Sequence, residues 1–107
     1  MDDTLTKIMA LIENGSVRIS SHGYDELASD AIRIRDIVDS IEGARLVEDY
    51  PEYPKGPCVL VLQRAADGSA IHAVWGIPRG SVEPAVLKTA YRPDPKRWTE
   101  DFMRRIR

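Results

Sequence analysis

Cys58-Val59-Leu60-Val61-Leu62-Gln63-Arg64-Ala65-Ala66-Asp67-Gly68-Ser69-Ala70-Ile71-His72-Ala73-Val74-Trp75-Gly76-Ile77 is the stretch on which the fold turns. Two apolar runs rich in β-branched and aromatic residues flank Asp67-Gly68, the strongest short-range hairpin signal. A type I′ turn centred on Asp67-Gly68 pairs Ala66 with Ser69, sets Gln63 opposite His72 and sets Leu60 opposite Trp75. Alternation along the strands then separates two faces. One carries Cys58, Leu60, Leu62, Ile71, Ala73, Trp75 and Ile77 and is greasy enough to be the core face. The other carries Val59, Val61, Gln63, His72 and Val74, so a histidine and an amide stand side by side on the less apolar face.

Upstream of the hairpin the period changes from two to 3.6. Asp3 caps a helix whose apolar positions Leu5, Ile8, Met9 and Ile12 follow the i, i+3, i+4, i+7 spacing, and Asn14-Gly15 supplies a left-handed stop. Val17 to Ser20 reads as a brief extended segment. Ser21 caps a second helix that runs from His22 toward Ala28. A third helix carries Ile34, Ile37, Val38 and Ile41 on one stripe before Gly43. Ala44 to Tyr50 reads as a strand, and Tyr50-Pro51-Glu52-Tyr53-Pro54-Lys55-Gly56-Pro57 as a proline-rich connection that continues neither helix nor central strand.

Downstream, Gly76 to Pro84 holds two prolines and two glycines and reads as a loop. Ala85 to Tyr91 is a further strand, ended by Arg92-Pro93-Asp94-Pro95. Pro95 suits the first turn of a last helix with Trp98, Phe102 and Ile106 on one stripe and Arg97, Arg104, Arg105 and Arg107 largely elsewhere. The predicted fold class is α+β: N-terminal helices packed on a mainly antiparallel sheet of four to five strands, with a C-terminal helix.

The 107 residues suffice for one domain with a core of its own. The single cysteine, Cys58, sits in an apolar strand and reads as a small buried hydrophobe, which suits a reducing compartment. Met1-Asp2-Asp3 is acidic where a signal peptide is basic, and no apolar run approaches a membrane span of roughly 20 residues. The expectation is a soluble cytoplasmic protein with no membrane contact. Net charge is −2, but unevenly spread: five basic and eleven acidic residues from Met1 to Tyr50, seven basic and three acidic from Lys88 to Arg107. The basic tail suits phosphates or an acidic partner.

Ser21-His22, Ile34 to Val38 around Asp36, Glu48-Asp49-Tyr50-Pro51, Cys58-Val59-Leu60, Ile71-His72-Ala73-Val74, Thr89-Ala90-Tyr91-Arg92-Pro93-Asp94 and Trp98 together resemble the DUF4258 domain, over about 17–107. That family is itself distantly similar to the RelE/ParE superfamily of bacterial toxins. The resemblance implies a toxin-like domain, with a metal-independent endoribonuclease of a toxin–antitoxin system as the leading expectation. RNA is then the substrate and an antitoxin-like protein the partner. The alternative is a non-catalytic protein-interaction domain on the same fold. Asp25, Glu26 and Asp30 make the second helix acidic where the resembled family is often arginine-rich, and the pI near 5.6 is low for a nucleic-acid surface.

His22 and His72 are the only histidines, and both fall where the resembled family tends to have one. Imidazole near its ordinary pKa exchanges protons at cellular pH, as acid–base work on an RNA 2′-hydroxyl requires. Bland roles compete: His22 bonding backbone at the helix entry, His72 bonding Gln63 or Tyr91 across the sheet. Tyr91, followed by Arg92, is the third catalytic candidate. Gln63, Arg92, Lys96, Arg97, Arg104 and Arg105 are the candidates for holding nucleic acid or a partner. No cofactor or metal is implied: no glycine loop cradles phosphate, and no Cys or His pair has ligand spacing.

Overall fold

The structure is a computed structural model that describes residues 3–106; Met1, Asp2 and Arg107, named in the charge reading, lie outside them. Helix α1 spans Thr4–Glu13, capped by Asp3, whose Oδ1 accepts from the Thr6 amide at 2.8 Å. It buries Ile8 and Ile12 and stops at Gly15, which takes φ +78°, a conformation that glycine adopts without a Cβ clash. Strand β1 (Val17–Ile19) leads into α2 (Ser21–Ser29). The cap of α2 is Ser20 rather than the expected Ser21: the Ser20 Oγ accepts from the Gly23 amide at 3.0 Å. Gly23 is where α2 lies on the sheet, since a Cβ there would stand 2.8 Å from the Leu87 carbonyl oxygen. Helix α3 (Ile34–Asp39) and a 3-10 turn (Ile41–Gly43) complete the helical layer.

Strands β2 (Arg45–Tyr50), β3 (Cys58–Arg64), β4 (Ala70–Gly76) and β5 (Ala85–Tyr91) join β1 in one sheet of order β1-β5-β4-β3-β2. The β1–β5 pair is parallel and the rest antiparallel, so the sheet is mixed and mostly antiparallel. The class is α+β, as expected.

The hairpin forms, but one residue out of the expected register. Its loop has three residues, Ala66-Asp67-Gly68: the Ala65 amide donates to Ser69 O and the Gly68 amide to Ala65 O, both at 2.9 Å, with Gly68 at φ +86°. Asp67 selects this loop, because its Oδ1 accepts from both the amide and the hydroxyl of Ser69, at 2.9 and 2.6 Å. A left-handed glycine ending such a loop makes a three-residue hairpin. Ala66 therefore does not pair with Ser69, Gln63 faces Ile71 rather than His72, and Trp75 faces Val59 rather than Leu60. A one-residue slip moves one strand's side chains to the other face. The core face is thus Val59, Val61 and Gln63 with Ile71, Ala73 and Trp75, and the helices cover it. Cys58, Leu60 and Leu62 belong to the opposite face with His72 and Val74.

A bulge at Lys88 shifts β5 in the same way, so that Leu87 and Ala90 enter the core while Thr89 and Tyr91 stand beside Val74 and His72. The expected C-terminal helix is absent from residues 95–106. The Asp101 Oδ1 accepts from the Thr99 hydroxyl at 2.6 Å and the Met103 amide at 3.1 Å, and Phe102 takes φ +60°. Short polar side chains that bond nearby backbone compete with helix in this way. The chain doubles back instead, bridging Trp98 to Arg105, and lies as a strap over the second sheet face.

Candidate functional site

The strap closes over His72, which is fully buried. Its Nε2 stands 2.8 Å from the Phe102 carbonyl oxygen, an acceptor only, so Nε2 carries the proton and Nδ1 accepts from the Tyr91 hydroxyl at 3.3 Å. Tyr91 is directly opposite His72 in the β4–β5 register. The Trp98 indole meets the imidazole edge-on at 4.3 Å between centroids. Burial holds the His72 pKa below its ordinary value, opposed by the bond to Phe102, and burial raises that of the Tyr91 phenol. The pair is neutral and internally satisfied.

Beside it, at the outer strand of the sheet, the guanidinium of Arg105 takes both oxygens of Glu48, at 2.9 and 3.1 Å, and stacks 4.7 Å over the Trp98 ring. Tyr50 donates its hydroxyl to Glu48 at 2.6 Å. Arg105 holds the Glu48 carboxyl below the usual range, and Glu48 in turn raises the Arg105 and Tyr50 pKa values. Glu48 and Tyr50 stand in the run that carries the family resemblance, but neither was among the candidate site residues. The signal was their spacing: two residues apart in β2, they share a face.

His22 is not brought to His72. It lies on α2, in the helical layer on the far side of the sheet, exposed, with Nε2 3.4 Å from Glu26 Oε1. Gln63 is in the core rather than beside His72: its Nε2 donates to Ile37 O at 2.6 Å and Ser40 Oγ at 2.9 Å, and its Oε1 accepts from Trp75 Nε1 at 3.0 Å. It ties the end of α3 to the sheet with every polar atom satisfied. Arg92 staples the strand end to the α2–α3 loop and the hairpin turn, through Asp30 O at 3.1 Å and Ser69 Oγ at 3.0 Å.

Of Lys96, Arg97, Arg104 and Arg105, Arg105 alone joins the cluster at His72. Lys96 and Arg97 are exposed in the turn around Asp94, the Arg97–Asp94 pair spanning 3.9 Å, and Arg104 lines an open hollow with Thr99, Glu100 and Asp101. The lysine and arginines therefore do not surround one opening with His72, which is closed. Cys58 is buried, and burial raises its thiol pKa. Among the described residues no helix is long and apolar enough to cross a membrane.

A helix-covered, mixed five-stranded sheet with a polar cluster under a C-terminal strap makes this an α+β domain. The family model described as a domain of unknown function (DUF4258) matches residues 19–92, and the chain belongs to that family. This span is narrower than the 17–107 suggested by the residues alone, and the strap lies beyond its end. Comparison with curated proteins and with solved structures finds no match.

Proposed function

We propose that the domain is a non-catalytic protein-interaction module that receives an extended segment of a partner along β2 and the proline-rich loop after it. The observation that carries this reading is the exposure of Tyr50 and Tyr53, 42% and 47%, at the end of the edge strand β2 and in the loop after it, with Leu46, 42% exposed, further along the same strand on its other face, opposite Val61. Large apolar side chains exposed at a surface mark interaction sites, and tyrosine is favoured at their centres. Arg45, Glu48, Asp49 and a bulge at Val47 discourage pairing with a like strand, so the rim favours side-chain recognition over open-ended sheet extension. Photo-crosslinkers at positions 46 and 53 should capture one and the same protein, while those at the exposed Tyr24 and Val82 should not. Equal capture from all four positions would contradict the reading.

A second reading has its own observation. His72, Tyr91, Glu48, Tyr50 and Arg105 supply an imidazole, two phenols, a carboxylate and a guanidinium on one face, a set suited to moving protons at an RNA phosphate. This is the metal-independent endoribonuclease of a toxin–antitoxin system, RelE/ParE-like, with an antitoxin-like partner. It requires the strap to lift, because His72 is fully buried, and it leaves His22 out. Loss of RNA cleavage in His72→Ala would favour it.

A further inference from the structure

The strap rests on a small set of contacts. Its backbone gives one acceptor to the sheet, Phe102 O to His72. Its side chains add the Arg105–Glu48 pair and the Trp98 ring against the imidazole. No helix or named strand stiffens it, and it follows a family domain that ends at residue 92. The Arg105–Glu48 latch opens onto solvent, the two side chains being 61% and 26% exposed. An exposed pair is worth little net free energy, so a competing cation exchanges with it easily.

We propose that residues 93–106 are a releasable lid, and that the face beneath binds a segment of a partner protein carrying an arginine beside an aromatic side chain. The arginine replaces Arg105 on Glu48 and the aromatic replaces Trp98 on His72. The strap is its own evidence for this chemistry: a bidentate guanidinium on a carboxylate is a geometrically specific contact, and the bridge between Trp98 and Arg105 shows the spacing that the face accepts. Once vacated, the face offers the Glu48 carboxylate and the His72 N–H over an apolar floor of Leu60 and Leu62, both buried in the closed state. The inference adjoins the rim reading through Tyr50, which bonds Glu48, but its test reads the cover over His72, whereas the rim is tested by crosslinks at positions 46 and 53.

The test uses the full chain and diethyl pyrocarbonate, which modifies accessible imidazoles, with exposed His22 as the internal reference. In the wild type His72 should react slowly relative to His22. Arg105→Glu should speed His72 by about fivefold or more, the scale of a lost charge-assisted contact at a surface. A synthetic peptide of residues 93–106 with native Arg105 should slow it again on the Arg105→Glu chain. On a Glu48→Arg chain that peptide should fail, while the same peptide carrying Arg105→Glu should protect. Amide exchange in β3 and β4 reports whether the sheet survives; if Arg105→Glu unfolds it, Arg105→Gln carries the same comparison. An unchanged His72 rate in a folded variant, or no peptide protection, would overturn the proposal. A wild-type chain that runs as a dimer, with His72 losing its protection as the dimer is diluted to monomer, would overturn the partner segment in favour of a second copy's strap.

Discussion

His72 donates through Nε2 to the carbonyl of Phe102 at 2.8 Å, joining β4 to a residue 30 positions further along the chain. Burial pushes the imidazole pKa down. A base with a depressed folded pKa contributes stability that is present above its unfolded pKa, about 6.5, and lost as pH falls through the folded value. The melting temperature should therefore fall as pH drops below about 6.5, and His72→Gln should remove that part of the slope. The lowered Glu48 carboxyl adds a loss of the same sign at more acid pH. A melting temperature flat from neutral down to the carboxylate range would contradict this account of His72.

Trp98 is the apolar anchor of the strap, 5% exposed between His72 and Arg105. Trp98→Ala should cost about 3–5 kcal/mol if the strap is an integral layer of the fold, and less if the strap lifts away and relaxes. Denaturant unfolding compared with amide exchange distinguishes the two. The lid account predicts loss of protection in residues 97–106 with β3 and β4 still protected, and uniform loss would count against it.

Gln63 uses its amide nitrogen as a donor to Ile37 O and Ser40 Oγ and its oxygen as the acceptor for Trp75. Gln63→Glu keeps the shape but replaces the donor with a carboxylate oxygen facing a carbonyl. Destabilisation of about 2–4 kcal/mol is expected at neutral pH, from a buried charge and an unpaired acceptor. Acidification should recover part of it, because a protonated carboxyl donates again. Equal stability of Gln63→Glu and wild type at neutral pH would contradict the assigned network.

The class of fold, the order of elements and several boundaries were legible in the sequence because each rests on local chemistry. Asp3 and Gly15 delimit α1 as expected, and β5 runs over Ala85–Tyr91 as expected. Register was not legible. Asp67-Gly68 announces a hairpin, but whether two or three residues form its loop depends on the Asp67–Ser69 bonds, and that one residue decides whether Gln63 stands beside His72 or in the core. The apolar spacing of Trp98, Phe102 and Ile106 mimicked a helix because periodicity does not register the Thr99–Asp101 bond that reverses the chain. Tyr91 does meet His72, through a bulge at Lys88 that alternation alone does not predict. Glu48 was missed because its partner Arg105 lies 57 residues away, a separation that only tertiary structure bridges.

The central claim is that this domain acts by binding a partner rather than by chemistry at His72. Incubation of purified wild type, His72→Ala and the strap-released Arg105→Glu chain with unstructured RNA tests it most directly. The account predicts no cleavage above background by any of the three, including the chain in which His72 is uncovered. Cleavage by wild type or Arg105→Glu that disappears in His72→Ala would contradict it.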